Sequence, residues 1–231
     1  MPEHLADMLK EAVRLERGGM LDRAMEHLDM AADADDPALV AEALRHRADI
    51  HRARSEWDRA VREARQSAAI ARGAGLDDLT AEALNAEAAV HMSRHAYTTA
   101  RGLLEETLTL TSAPRVQGIA LQNLGVIAAE EDRLADARQH FEESRARFHT
   151  ASYERGVAIA LVNSGRVALL EGDNDRAEEL CAEGEMVAQR VGDLEIAAMA
   201  AFNRADALVR AGRYAEADPP ASVALGYFTG V

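Results

Sequence analysis

Six alanines, Ala24, Ala60, Ala100, Ala137, Ala177 and Ala217, recur along this chain at intervals of 36, 40, 37, 40 and 40 residues. A period of that length confines the chain to a stack of like supersecondary units, each touching its neighbours, rather than one globular core. Each unit reads as a pair of helices. In the clearest copy Leu121, Leu124, Gly125 and Ala128 fall on one stripe of a first helix, and Leu134, Ala137, Phe141 and Ser144 fall on one stripe of a second. Glu131-Asp132 makes the turn between them. Gly125 is expected to face Ala137, so that the two backbones approach closely.

Turn chemistry bounds the copies. The expected hairpins cover residues 3–33, 37–72, 77–111, 114–150, 153–191 and 193–217 of one array spanning 1–217, with an atypical tail at 218–231. In the first, Met8, Ala12 and Leu15 face Ala24 and Leu28 across Gly18-Gly19. Asp35-Asp36-Pro37 supplies a carboxylate cap and a proline in the first turn, where its missing donor costs nothing. Gly73-Ala74-Gly75 ends the second hairpin, and Asp77-Asp78 is read as the cap of the third. The turns inside the hairpins share one slot, filled by Gly19, Ser55, His95, Asp132, Gly172 and Gly212, a set suited to left-handed backbone. In the tail, Asp218-Pro219-Pro220 predicts a helix that breaks, kinks or restarts. Beyond it Val223, Leu225, Tyr227 and Phe228 are apolar where a solenoid end needs a polar cap.

Aromatics are 4% of the chain while apolar residues are 48%, so alanine supplies most of the core, which is thin. A net charge of -14 argues against nucleic acid as partner, since phosphates call for a basic stripe; Lys10 is the single lysine. Cys181 stands alone, which excludes an intramolecular disulfide and fits a reducing compartment. No charged start precedes an apolar run, and no run reaches the roughly 18 apolar residues of a membrane span, so a cytoplasmic protein without membrane contact is expected.

The pattern resembles the tetratricopeptide repeat, whose core of a large apolar residue, Leu-Gly, alanine, an aromatic and a small residue reads here Leu121, Leu124-Gly125, Ala137, Phe141 and Ser144. The resemblance implies an all-α fold, a right-handed superhelical α-solenoid of about six helical hairpins, with the first helices lining a concave face. The family's period is about 34 residues, so these helices are longer by roughly a turn. Met8, Leu44, Leu84, Leu121, Leu161 and Ala201 stand where the typical repeat opens on a large aromatic. Alanine-rich arrays of this period look more like those of bacterial regulators and signalling proteins than those of chaperone adaptors.

No phosphate loop, nucleophile elbow or Cys/His cluster occurs, so no catalytic residue, cofactor or metal is expected. His91 and His95 have metal-ligand spacing, but His91 shares an inward slot with Leu15, His51, Ala128, Ala168 and Leu208, while His95 takes the turn slot. Both are read as structural. Cys181 falls in the slot of Leu104 and Phe141, a buried thiol, and Trp57 opens a second helix as a packing residue.

What remains is recognition: a non-enzymatic scaffold that binds a protein or peptide. Stacked repeats place equivalent side chains about 10 Å apart, a spacing an extended peptide can follow. Asn123, Asn163 and Asn203 form such a ladder and resemble the asparagine that many family members set against ligand main chain; Gln122 and Asn85 add amides nearby. An apolar half of the groove is expected from Ile119, Val126, Ile159, Val162, Met199 and Phe202, with Arg166 supplying one charge. A charged half is expected from Glu42, Arg45, His46, Asp49, Arg52 and Glu82. The lysines of the family's carboxylate-clamping members are missing. The alternative is a scaffold that forms a homodimer through its C-terminal end, using Val223, Leu225, Tyr227 and Phe228.

Overall fold

The computed structural model describes residues 2–230; Met1 and Val231, the outermost residues of the expected array and tail, lie outside them. Among the described residues the chain forms twelve helices and no strand. They pair as α1 (Pro2–Arg17) with α2 (Leu21–Ala32), α3 (Pro37–Ala53) with α4 (Trp57–Gly73), and α5 (Asp77–Ser93) with α6 (Tyr97–Leu110). The later pairs are α7 (Pro114–Glu130) with α8 (Leu134–Thr150), α9 (Glu154–Glu171) with α10 (Asn174–Arg190), and α11 (Leu194–Arg210) with α12 (Tyr214–Thr229). Contacts divide the chain into two compact units, Met1–Val116 and Gln117–Val231. Within the first, α1 touches α3 and α3 touches α5; within the second, α9 touches α11. Within each unit first helices thus pack on first helices, and Asn163 and Asn203 sit on the α9–α11 pair.

All six residues of the turn slot adopt positive φ: Gly19 at 72°, Ser55 at 59°, His95 at 57°, Asp132 at 60°, Gly172 at 82° and Gly212 at 76°. The next residue's N–H then reaches back five positions, as from Glu56 to the His51 carbonyl at 2.8 Å, Arg133 to Ala128 at 2.9 Å and Arg213 to Leu208 at 2.9 Å. Each first helix therefore closes with its last carbonyls satisfied. The inward slot read from the sequence is the acceptor of this bond.

Where the pattern calls for small residues, the glycine leaves room for the neighbouring side chain as well. A Cβ built on Gly125 would lie 2.6 Å from the Phe141 ring, so the glycine accommodates the aromatic. One repeat later Gly165 holds the Cys181 sulfur in the same way, at 2.4 Å from its built Cβ. The small residue that ends the motif also does more than leave room. Ser67 donates to the Ala41 carbonyl at 2.6 Å, Thr107 to Ala81 at 3.4 Å and Ser144 to Gly118 at 2.8 Å, tying second helix to first at one register.

One expectation about a helix end needs correction. Asp77 and Asp78 do not cap α5, whose N-cap is Leu76; they lie in its first turn, where carboxylates favour the helix dipole. Asp36 does cap α3, accepting from the Ala38 N–H at 2.9 Å. In hairpin one, Leu9 is buried while Met8 is half-buried, so Leu9 takes the larger share of the core contact.

The tail is not broken at its prolines. α12 runs unbroken from Tyr214 through Pro219 and Pro220 to Thr229. The two carbonyls left without donors belong to Ala215 and Glu216, which are exposed to solvent, while Pro220 is buried beside Ala217 and Ala224. Solvation offsets the lost bonds, and the second ring packs where an apolar side chain is needed.

Candidate functional site

Seven side chains from three helices of the Gln117–Val231 unit meet around one cleft of about 370 Å³. Val162, Asn163 and Arg166 come from α9, Met199, Phe202 and Asn203 from α11, and Phe228 from the last turn of α12. Helical spacing explains the grouping: Val162, Asn163 and Arg166 share one stripe of α9, and residues 40 positions later repeat it on α11. Val162 is only 3% exposed and forms the floor, whereas Met199, Phe202 and Phe228 are 44%, 59% and 58% exposed. The side-chain amides of Asn163 and Asn203, and that of half-buried Asn123, make no hydrogen bond with any described residue. Arg166 Nε is buried without a partner, and its Nη1 lies 3.8 Å from Glu130, beyond hydrogen-bond range.

The remaining groove residues are placed differently. Asn85 is buried, and its amide donates to the Val116 carbonyl at 3.2 Å, so it braces the first unit instead of facing a ligand. Ile119 and Ile159 pack half-buried against the core around Phe148, and Val126 packs against the cluster of Ala128, Ala137 and Phe141. The exposed apolar surface is therefore narrower than the stripe of six. Gln122 contributes a buried, unpaired Oε1.

The charged half is an ion-pair network in the Met1–Val116 unit. Arg45 reaches Glu82 at 3.2 Å and Asp49 at 3.6 Å, and Arg52 reaches Asp49 at 3.8 Å. His46 accepts from Arg45 at Nε2 (2.8 Å), so its proton sits on Nδ1, 2.7 Å from Glu16. Burial pushes the Asp49 carboxyl above the usual range against the pull of Arg45 and Arg52. Glu16, His46 and Asp49 bring ligand-type atoms within 4.8 Å of one another, but two guanidiniums crowd the trio and disfavour a cation. Five of the six thus engage one another while Glu42 stands apart, and Nε of Arg45 and of Arg52 is left without a hydrogen-bond partner.

His91 and His95 do not converge: His91 pairs with Glu87 at 3.4 Å, while His95, in the turn, meets the Tyr97 hydroxyl at 2.8 Å. Cys181 is buried, and desolvation pushes its thiol up to about 12, leaving it protonated at neutral pH and without nucleophilic character. Trp57 lies half-buried beside Arg59, Arg62 and Arg94 at the start of α4. Phe228 is the cleft residue that sequence reasoning assigned elsewhere, because a helix expected to break at Pro219 gives its last turn no fixed place.

No protein-family model matches the chain, and no curated protein does. Solved structures do. BtubC from P. vanneervenii superposes with a TM-score of 0.70 at 18% identity, covering 96% of this chain and 87% of that one. Aspartyl phosphate phosphatase F from Bacillus subtilis gives 0.68 at 16% identity, covering 96% of this chain and 64% of that one, so this chain spans less than two thirds of it. The nearly identical TPR-like repeats of a kinesin light chain from Podosopora anserina give 0.64 at 13% identity, covering 86% of this chain and all of that one. The fold is a tetratricopeptide-like helical repeat. Among the described residues no helix is long and apolar enough to cross a membrane.

Proposed function

We propose that the chain is a non-enzymatic interaction module that holds an extended segment of a partner protein across the first-helix layer of its Gln117–Val231 unit, as part of a bacterial regulatory or signalling system. One observation carries this: Asn163 and Asn203, without protein partners, line the same cleft as exposed Met199 and Phe202. Main-chain N–H and C=O groups of an extended segment would satisfy the two amides, while its side chains enter the apolar floor. Asn123, one repeat earlier, extends the row. The likeness to an aspartyl phosphate phosphatase, a protein named for its action on a phosphoprotein bond, fits a regulatory setting.

An array of acetylated, amidated nonapeptides probed with the full chain tests the proposal. Asn163→Ala with Asn203→Ala is expected to weaken the bound set about tenfold, the loss of two amide contacts to main chain. Unchanged binding would remove the ladder from the mechanism.

Self-association is the second proposal, favoured by register. Tyr227 and Phe228 occupy the slots held 40 residues earlier by Val187 and Ala188, which α11 buries with Ile196, Ala197 and Ala200. On α12 the same slots are exposed, at 42% and 58%. A second copy laid there would restore the packing of the preceding repeat. Sedimentation of the full chain is expected to change from dimer to monomer with Leu225→Asp and Tyr227→Asp; a parent that is monomeric at every concentration excludes it.

A further inference from the structure

We propose that the cleft selects a segment with an acidic side chain beside a large apolar one, an inference that rests on the groove proposed above. Charge comes first. The cleft is lined by Arg166 and no carboxylate, the nearest carboxylate being Glu130, outside the lining and 3.8 Å from Nη1, on a chain of net charge -14. By contrast, the cleft around Arg138, Arg145 and Arg176 contains Glu142, Glu171 and Asp173 as well, so its charges cancel. Of these two clefts, the first presents a cation with no carboxylate in its lining.

Arg166 is also incompletely used. Its Nε is buried and unpaired, and its one carboxylate neighbour, Glu130, stands off at 3.8 Å. The side chain is nonetheless 40% exposed, so its two Nη groups offer a fork that matches the two oxygens of a carboxylate, a stronger acceptor geometry than Glu130 provides at 3.8 Å. The apolar part of the site dictates the neighbouring residue. Phe202 and Phe228 expose ring surface from two different helices, with Met199 beside them and Val162 beneath. An aromatic or large aliphatic side chain fills the space between such walls, and methionine adapts to either. The amides of Asn163 and Asn203 then hold the main chain joining the acidic residue to the anchor.

The nonapeptide array supplies the test, with its central pair varied so that large apolar residues are combined with Asp, Glu, Asn, Gln or Ala. Acetylated and amidated ends leave side chains as the sole carboxylates. Peptides pairing a large apolar residue with Asp or Glu are expected to bind about tenfold tighter than their Asn or Gln counterparts. Arg166→Gln is expected to abolish that difference while the apolar preference persists, and Phe228→Ala to weaken the apolar preference while the acidic one persists. Equal binding of acid and amide peptides, or an acidic preference that survives Arg166→Gln, overturns the inference. Binding that depends on Asn163 and Asn203 yet ignores the carboxylate leaves the groove standing and sinks this inference alone. Binding indifferent to both asparagines, or none to any peptide, sinks the two together.

Discussion

Replacing Phe148 with alanine is expected to destabilise the Gln117–Val231 unit by about 3–5 kcal/mol, the cost of removing a buried aromatic and leaving its cavity. The ring is 2% exposed and lies in a slot shaped by two glycines. Cβ atoms built on Gly118 and Gly156 would each come within 2.6 Å of it, so neither of these positions can supply a side chain to the space. Tyr153 meets it edge to face, with centroids 5.4 Å apart, and loses that partner too. Urea unfolding followed by circular dichroism reads the loss as a lower midpoint at unchanged slope. A loss below about 1 kcal/mol would mean that the ring does not fill the slot. Phe148→Leu should recover part of the stability by restoring volume.

Gly165→Ala is the second large effect, and it carries its own control. Alanine is the better helix former by about 1 kcal/mol, so on propensity alone the change stabilises. Here the new methyl would lie 2.4 Å from the Cys181 sulfur and 3.4 Å from the Ala177 carbonyl. Overpacking of that kind costs about 1–3 kcal/mol, so the net expectation is destabilisation. Adding Cys181→Ala removes the obstacle, and in that background Gly165→Ala should be neutral or stabilising. The double-mutant cycle measures the coupling directly. An equal effect of Gly165→Ala in both backgrounds would show that the helices do not meet at these two residues.

Both effects sit on the pattern that made the fold legible. The even alanines, the turn slot and the register of the helix pairs were readable because each obeys a local rule: small residues where helices cross, and left-handed backbone where a helix must end within one turn. Even a serine, a histidine and an aspartate stand in that slot at positive φ, which shows the position imposing its conformation on residues that only tolerate it. The proline pair misled because the rule against proline in a helix interior is local too. It takes no account of whether the freed carbonyls face solvent or whether the ring has somewhere to pack.

The sequence alone pointed to paired helices, their left-handed turn slot and the stripe of candidate contact residues, since helix periodicity depends only on neighbours a few positions away. Tertiary structure decided which members of that stripe are free. It buried Asn85 on a backbone carbonyl, closed the charged half into mutual ion pairs, sank Val162 to a floor, and brought Phe228 to Phe202 in one cleft. Exposure and pairing depend on groups distant in the chain, so no spacing along the sequence encodes them.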